Sequence, residues 1–264
     1  MDDGHATVNA SLAQPRANFW WIPTLAVLFL AGIGALPAAS EPSAPPPDYP
    51  QSLERDLKAT REALQQNPSD PQLLIKLAAI YLDLGEDLYT EKEQKLAAFE
   101  EGARQAKQAL ELHEANAEAH YFYAANLGSA AEVKGLAASL LALDEIKKHA
   151  RRALELQKDH VPALHMAGMM LEELPQFMGG NKAVALEYLK RAVALEPNYS
   201  HARLDLAKMY LQRRDPEAAR KELVAVVNME RPSDPYPWAR RYRPEAERLL
   251  NSLNHQQPTE SGTK

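Results

Sequence analysis

His201-Ala202-Arg203-Leu204-Asp205-Leu206-Ala207-Lys208-Met209-Tyr210, followed after a short break by Asp215-Pro216-Glu217 and a segment carrying Ala219, Leu223 and Val226, decides the fold. Apolar and small residues recur at the three- and four-residue spacing that places them on one helix face. Asp215 and Pro216 mark a fresh helix start, because an Asp side chain accepts from free backbone N–H groups there and proline lacks only a donor the first turn does not use. Arg231-Pro232 then breaks the chain. The stretch predicts two helices joined as a hairpin.

The same kind of segment recurs upstream. Ala106-Lys107-Gln108-Ala109-Leu110-Glu111-Leu112, Ala150-Arg151-Arg152-Ala153-Leu154-Glu155-Leu156, Leu189-Lys190-Arg191-Ala192-Val193-Ala194-Leu195 and Leu223-Val224-Ala225-Val226-Val227 each close a helix-forming run. Recurrence at this interval predicts a solenoid of stacked helix pairs, whose long surface suits gripping another chain. Composition agrees. Of 264 residues 45% are apolar but only 7% aromatic, which favours close-packed helices over sheets and predicts an all-α protein. A net charge of -6 argues against a phosphate-binding, nucleic-acid function. The absence of cysteine removes disulfides, thiolate nucleophiles and cysteine-based metal sites.

These segments resemble tetratricopeptide repeats, helix hairpins of about 34 residues. Leu206, Ala207 and Tyr210 hold the first-helix slots of the last unit; Leu74, Leu77, Ala78 and Tyr81, then Gly102, Ala106 and Ala109, hold those of the first. Tyr123, Ala124 and Leu127 with Ile146, Ala150 and Ala153 make the second unit, and Leu164, Ala167, Gly168 and Leu171 with Ala185, Leu189 and Ala192 the third. The predicted units are residues 71–116, 117–160, 161–199 and 200–233, with a capping helix at 237–253 whose Trp238, Tyr242, Ala246, Leu249, Leu250 and Leu253 share a face. The whole repeat-bearing domain is expected over 52–254. Against the repeat length the first unit carries about twelve extra residues, the second about ten and the third about five. They fall near 86–100 and 132–143 in the first two units, and the apolar run Gly135-Leu136-Ala137-Ala138-Ser139-Leu140-Leu141-Ala142-Leu143 is expected to pack as an extra turn over the stack, the alternative being part of a partner surface.

Leu174-Pro175-Gln176-Phe177-Met178-Gly179-Gly180-Asn181-Lys182 gives the third unit a narrower flavour. It resembles the Pro and Gly-Gly hairpin of the TatT components that accompany periplasmic TRAP transporters, and is similar to the regulator of microtubule dynamics proteins. TatT components are typically lipoproteins, and the chain lacks the cysteine that lipidation requires.

Residues 19–39 carry no charged side chain and are long enough to span a bilayer. Arg16 before them, Glu41 and Asp48 after them, and Trp20 and Trp21 at the edge predict a membrane anchor in preference to a signal peptide cleaved after Ser40. Residues 1–18 would then be a cytoplasmic tail, 40–51 a proline-rich extended spacer, and 255–264 a disordered tail. The expected location is the cell envelope, with the repeats outside the cytoplasm in the periplasm.

Catalysis requires a nucleophile with its base, paired carboxylates or a metal cluster. His160 and His165 flank the Val161-Pro162 helix start, His113 and His120 straddle a turn, and adjacent Glu172 and Glu173 point apart, so no enzyme, cofactor or metal site is expected from spacing. The histidines read as surface or cap residues. Gly179-Gly180-Asn181-Lys182 lacks the preceding strand of a phosphate loop and reads as a turn with Asn181 as helix cap. What the family resemblance implies is a concave groove lined by the first helix of each unit. Its positions here are Ile75 and Ala79; Glu118, Tyr121 and Ala125; His165, Met169 and Glu172; and His201, Leu204 and Lys208. A Lys and Asn clamp for a carboxyl terminus is not visible at these slots. A protein or peptide partner, such as an envelope or transporter component, is the first expectation, and an apolar small molecule held in the groove is the alternative.

Overall fold

The computed structural model describes residues 48–256, all helices and connections with no strand among them. The expected membrane segment 19–39, the tail 1–18, most of the spacer and most of the carboxy-terminal tail lie outside the described residues. Among the described residues no helix is long and apolar enough to cross a membrane.

Four helix pairs succeed one another: α2 (Pro71–Asp83) with α3 (Lys92–Leu112), α4 (Ala117–Lys134) with α5 (Leu136–Leu156), α6 (Val161–Glu173) with α7 (Lys182–Leu195), and α8 (Ser200–Gln212) with α9 (Pro216–Val227). Ahead of them stands α1 (Ser52–Gln66), which the repeat pattern did not announce. Its Leu53, Leu57 and Leu64 lie on one stripe and pack with Leu77, Ile80, Tyr81 and Leu84 to cover the open end of the stack. The far end is covered by a short turn α10 (Pro235–Pro237), a wider π-helical turn (Trp238–Tyr242) and α11 (Arg243–Gln256). Trp238, Tyr242, Ala246, Leu249, Leu250 and Leu253 cluster there with Leu223 and Val226, as their shared face predicts.

Local sequence sets the helix starts. Asp70 accepts from Gln72 and Leu73 N–H, Asn116 from Ala119, Asn181 from Val184 and Asp215 from Ala218. Each satisfies backbone donors that a helix amino terminus leaves without a partner. Between helices the repeated alanines act by being small: Ala78, Ala106, Ala109, Ala153, Ala185, Ala192, Ala202 and Ala219 are buried, letting axes approach while leucines fill the seams. Leu74, Leu164, Leu189 and Leu223 are buried among them, each contributing roughly 1.5–3 kcal/mol.

A polar lock joins the first two pairs. Asn126 of α4 is fully buried and donates to the Ala78 carbonyl of α2 at 3.0 Å and to Phe122 of its own helix at 2.9 Å. Its carbonyl oxygen faces Gly102 of α3, where a Cβ would stand only 2.2 Å away. Glycine at 102 and asparagine at 126 therefore depend on each other.

The extra residues become helix length. In the first pair they form a π-helical turn (Leu84–Leu88) and the early turns of the 21-residue α3; in the second they lengthen both helices. The expected packing of 135–143 over the stack is corrected: Leu136 is 77% exposed and Leu141 88%, with Leu140 exposed beside them. The reason is length. At about 1.5 Å per residue the 21-residue α5 overhangs the 13-residue α6 by more than two turns, so these leucines find no neighbour there. The end of the spacer also departs from an extended form: residues 48–51 turn into α1, with Ser52 N–H donating to the Asp48 carbonyl.

Candidate functional site

The helix start at Val161-Pro162 places His165 in the second turn of α6, and on α8 His201 and Asp205 stand one turn apart on one face. Stacking the third and fourth pairs brings the three side chains together. His165 Nε2 lies 2.9 Å from Asp205 Oδ2, and His201 Nε2 lies 3.3 Å from the same oxygen. Lys208 Nζ reaches the other oxygen, Oδ1, at 3.2 Å. His165 Nδ1 is 3.1 Å from the Tyr199 hydroxyl. His165 and Asp205 are buried, whereas the His201 side chain is 40% exposed and stacks on Tyr242 with centroids 4.5 Å apart.

Desolvation of the half-exposed His201 ring, with His165 beside it, lowers its pKa, so its imidazole is neutral at ordinary pH. Burial alone would raise Asp205, but the His165 hydrogen bond and its cationic surroundings, the Lys208 ammonium among them, outweigh it and hold the carboxyl below its usual range. The result is an ionised carboxylate between two imidazoles.

Around this cluster the first and last parts of the domain meet. Arg241 donates to Asp87 Oδ1 at 2.8 Å and to the Glu86 carbonyl at 3.4 Å, across a sequence separation of 154 residues. Tyr236 packs edge-on against Tyr49, whose hydroxyl donates to Asp87 at 2.6 Å. With three helix pairs between them in the sequence, from α4 to α9, the ends of a curved stack touch on its inner side. Residues 235–242 therefore lie across the inner face, and Tyr242 covers His201. Ser200 anchors the start of this segment by donating to Asp234 at 2.7 Å.

Burial raises the Asp234 pKa to about 6 despite that hydrogen bond. A carboxyl raised on folding contributes stability that is present below its unfolded pKa and lost as pH rises through about 6. Asp234→Asn, which keeps the acceptor for Ser200, is expected to be more stable than wild type at pH 7.5 by about 1 kcal/mol after solvent screening. The gain should vanish near pH 4 in urea denaturation. A difference that is the same at both pH values would remove Asp234 from the titration.

Residues 49–171 match the sequence profile of regulator of microtubule dynamics protein 1-3, and residues 180–239 match a tetratricopeptide-repeat profile. Regulator of microtubule dynamics protein 1 of Bos taurus is 30% identical over 159 residues, covering 54% of this chain and 50% of the relative. The Homo sapiens protein of that name is 28% identical over 153 residues, covering 52% and 49%. The chain thus spans about half the length of these curated relatives. The crystal structure of a thermophilic tetratricopeptide-repeat protein from Thermus thermophilus superposes with a TM-score of 0.55 at 16% identity, covering 78% of this chain and 92% of that one. The domain is a tetratricopeptide-repeat solenoid.

Within this tetratricopeptide-repeat domain the expected groove residues separate into four groups. His165, His201 and Lys208 meet around Asp205, which sequence reading passed over although the His201-x-x-x-Asp205 spacing on one helix face was a usable signal. Glu172 receives two donors from Arg213, at 3.1 and 2.7 Å, tying α6 to the end of α8, and Met169 is half-buried against the second core cluster. Glu118 and Tyr121 face His160 of the next pair, the carboxylate at 3.6 Å and the rings at 5.2 Å. Ile75 and Ala125 belong to the first core cluster and Leu204, at 2% exposure, to the last, because α11 closes over it.

Of the histidines expected as surface or cap residues, His113 is exposed and His160 is a cap, while His120 and His165 are buried. His160 is fully buried and caps α6 by accepting from Ala163 N–H. His120 and His149 are buried as a pair with Nδ1 atoms 2.8 Å apart. The Gly179-Gly180-Asn181 turn does cap α7 through Asn181.

Proposed function

We propose that this chain is a non-enzymatic scaffold whose inner face holds a segment of a partner protein. One observation carries the reading: that face already holds a peptide segment, the chain's own residues 235–242, through an arginine clasp to Asp87 and a tyrosine stacked on His201. The matching partner segment presents arginine and aromatic side chains and competes with residues 235–242. Arginine and tyrosine are enriched among the residues that carry most of the energy of protein–protein binding. An apolar solute draws no support from a lining of His, Tyr, Asp and Arg side chains.

The apolar run 19–39 and the prolines after it support placing the scaffold at a membrane, repeats outward, where an envelope or transporter component would be the partner. The relatives are named for regulating microtubule dynamics, a role that a protein-binding scaffold can also serve. Mapping the amino terminus of membrane-fraction protein tests the tether: recovery of residues 1–18 supports it, and a terminus at Glu41 in soluble extract refutes it.

For the groove, a partner captured by the full chain is titrated against variants. Met169→Ala combined with Lys208→Glu is expected to weaken binding about tenfold or more, and Arg241→Ala to strengthen it by releasing the clasp. Equal affinity for all three chains would move the interface to the outer face or to the exposed leucines of α5.

A further inference from the structure

We propose that His165, His201 and Asp205 form a binding site for a divalent transition metal, zinc being the best match. The donor set is two imidazole nitrogens and one carboxylate oxygen, all within 4.8 Å of one another. Zinc takes that set readily, with nitrogen and oxygen about 2.0–2.2 Å away and hence about 3.3 Å between ligands in a tetrahedron. The separations of 2.9 and 3.3 Å from Asp205 Oδ2 to the two Nε2 atoms already lie near that edge length. Three protein ligands leave a fourth position, and His201, the exposed member, is the side on which it opens.

The surroundings suit a metal as well as they suit hydrogen bonds. Without metal, His165 Nε2 is hydrogen-bonded to Asp205 Oδ2 and its Nδ1 to the Tyr199 hydroxyl, while His201 Nε2 stands 3.3 Å from the same carboxylate oxygen. With metal, each imidazole presents the Nε2 lone pair and carries its proton on Nδ1. Tyr199, whose hydroxyl both donates and accepts, then takes the His165 Nδ1–H without moving. The Lys208 ammonium remains on Oδ1, leaving Oδ2 for the metal. Tyr242 stacked on His201 fixes the second ring. A metal here would clamp α6 to α8, the third pair to the fourth. The site is independent of which partner the scaffold binds.

The test uses the full chain, free of any polyhistidine tag and stripped with chelator. Titrated with zinc in a calorimeter, it is expected to bind one equivalent, and zinc is expected to raise its melting temperature. Cobalt in place of zinc should give the visible absorption of a four-coordinate site. His201→Ala, a partly exposed position where folding is least at risk, should weaken zinc at least about tenfold and abolish both the cobalt band and the melting shift. Asp205→Asn should do the same. Saturable binding that survives both variants, or no saturable binding by wild type, overturns the assignment.

Discussion

Asn126→Asp should unfold the domain at neutral pH or come close to it, losing about 4 kcal/mol or more. In wild type the amide donates to the carbonyls of Ala78 and Phe122 with no solvent contact. A carboxylate would present acceptors to acceptors and carry an unpaired charge into the interior. The substituted carboxyl therefore has a pKa raised by folding. Its penalty is largest above that value and shrinks as pH falls through it, because the protonated form regains one donor. Urea denaturation of the variant at pH 7.5 and pH 4 should show the deficit relative to wild type narrowing in acid. A deficit that grows or stays constant in acid would mean that Asn126 is not the buried lock between α2 and α4.

Gly180→Ala should lose about 3 kcal/mol, through a different mechanism. A Cβ at this position would stand 1.8 Å from the Leu174 carbonyl oxygen and 2.7 Å from its carbon. Those are backbone atoms, so no rotamer relieves the clash. The turn cannot yield cheaply either: Gly180 N–H donates to Pro175 and Asn181 N–H to Leu171, and both bonds fix the loop that joins α6 to α7. Gly128→Ala is the natural control, since its Cβ would meet only Ile146 at 3.7 Å inside α4. There alanine should be neutral or stabilising by about 0.5–1 kcal/mol, the ordinary difference in helix propensity. Equal losses at 180 and 128 would contradict the close approach of Gly180 to Leu174.

The helix hairpins were legible because helix periodicity is local. Ala, Leu and Tyr at three- and four-residue spacing marked each helix face, and Asp215 and Asn181 marked two starts that the backbone then uses. The closing face from Trp238 to Leu253 was legible for the same reason. The 135–143 leucines were not, because burial there depends on how far α5 runs past α6, a relation between neighbours.

Sequence alone thus determined an all-helical stack of four hairpins with a closing helix, the starts of α6, α7 and α9, and the small and leucine residues of the seams. Tertiary structure decided what faces what. His165 meets His201 and Asp205 from 36 and 40 residues away, and Arg241 reaches Asp87 from 154. Spacing along one helix fixes a side chain's angle about that helix. Only the close approach of small residues between successive pairs sets the tilt and curvature that bring distant faces together, and with them the cluster and the segment that covers it.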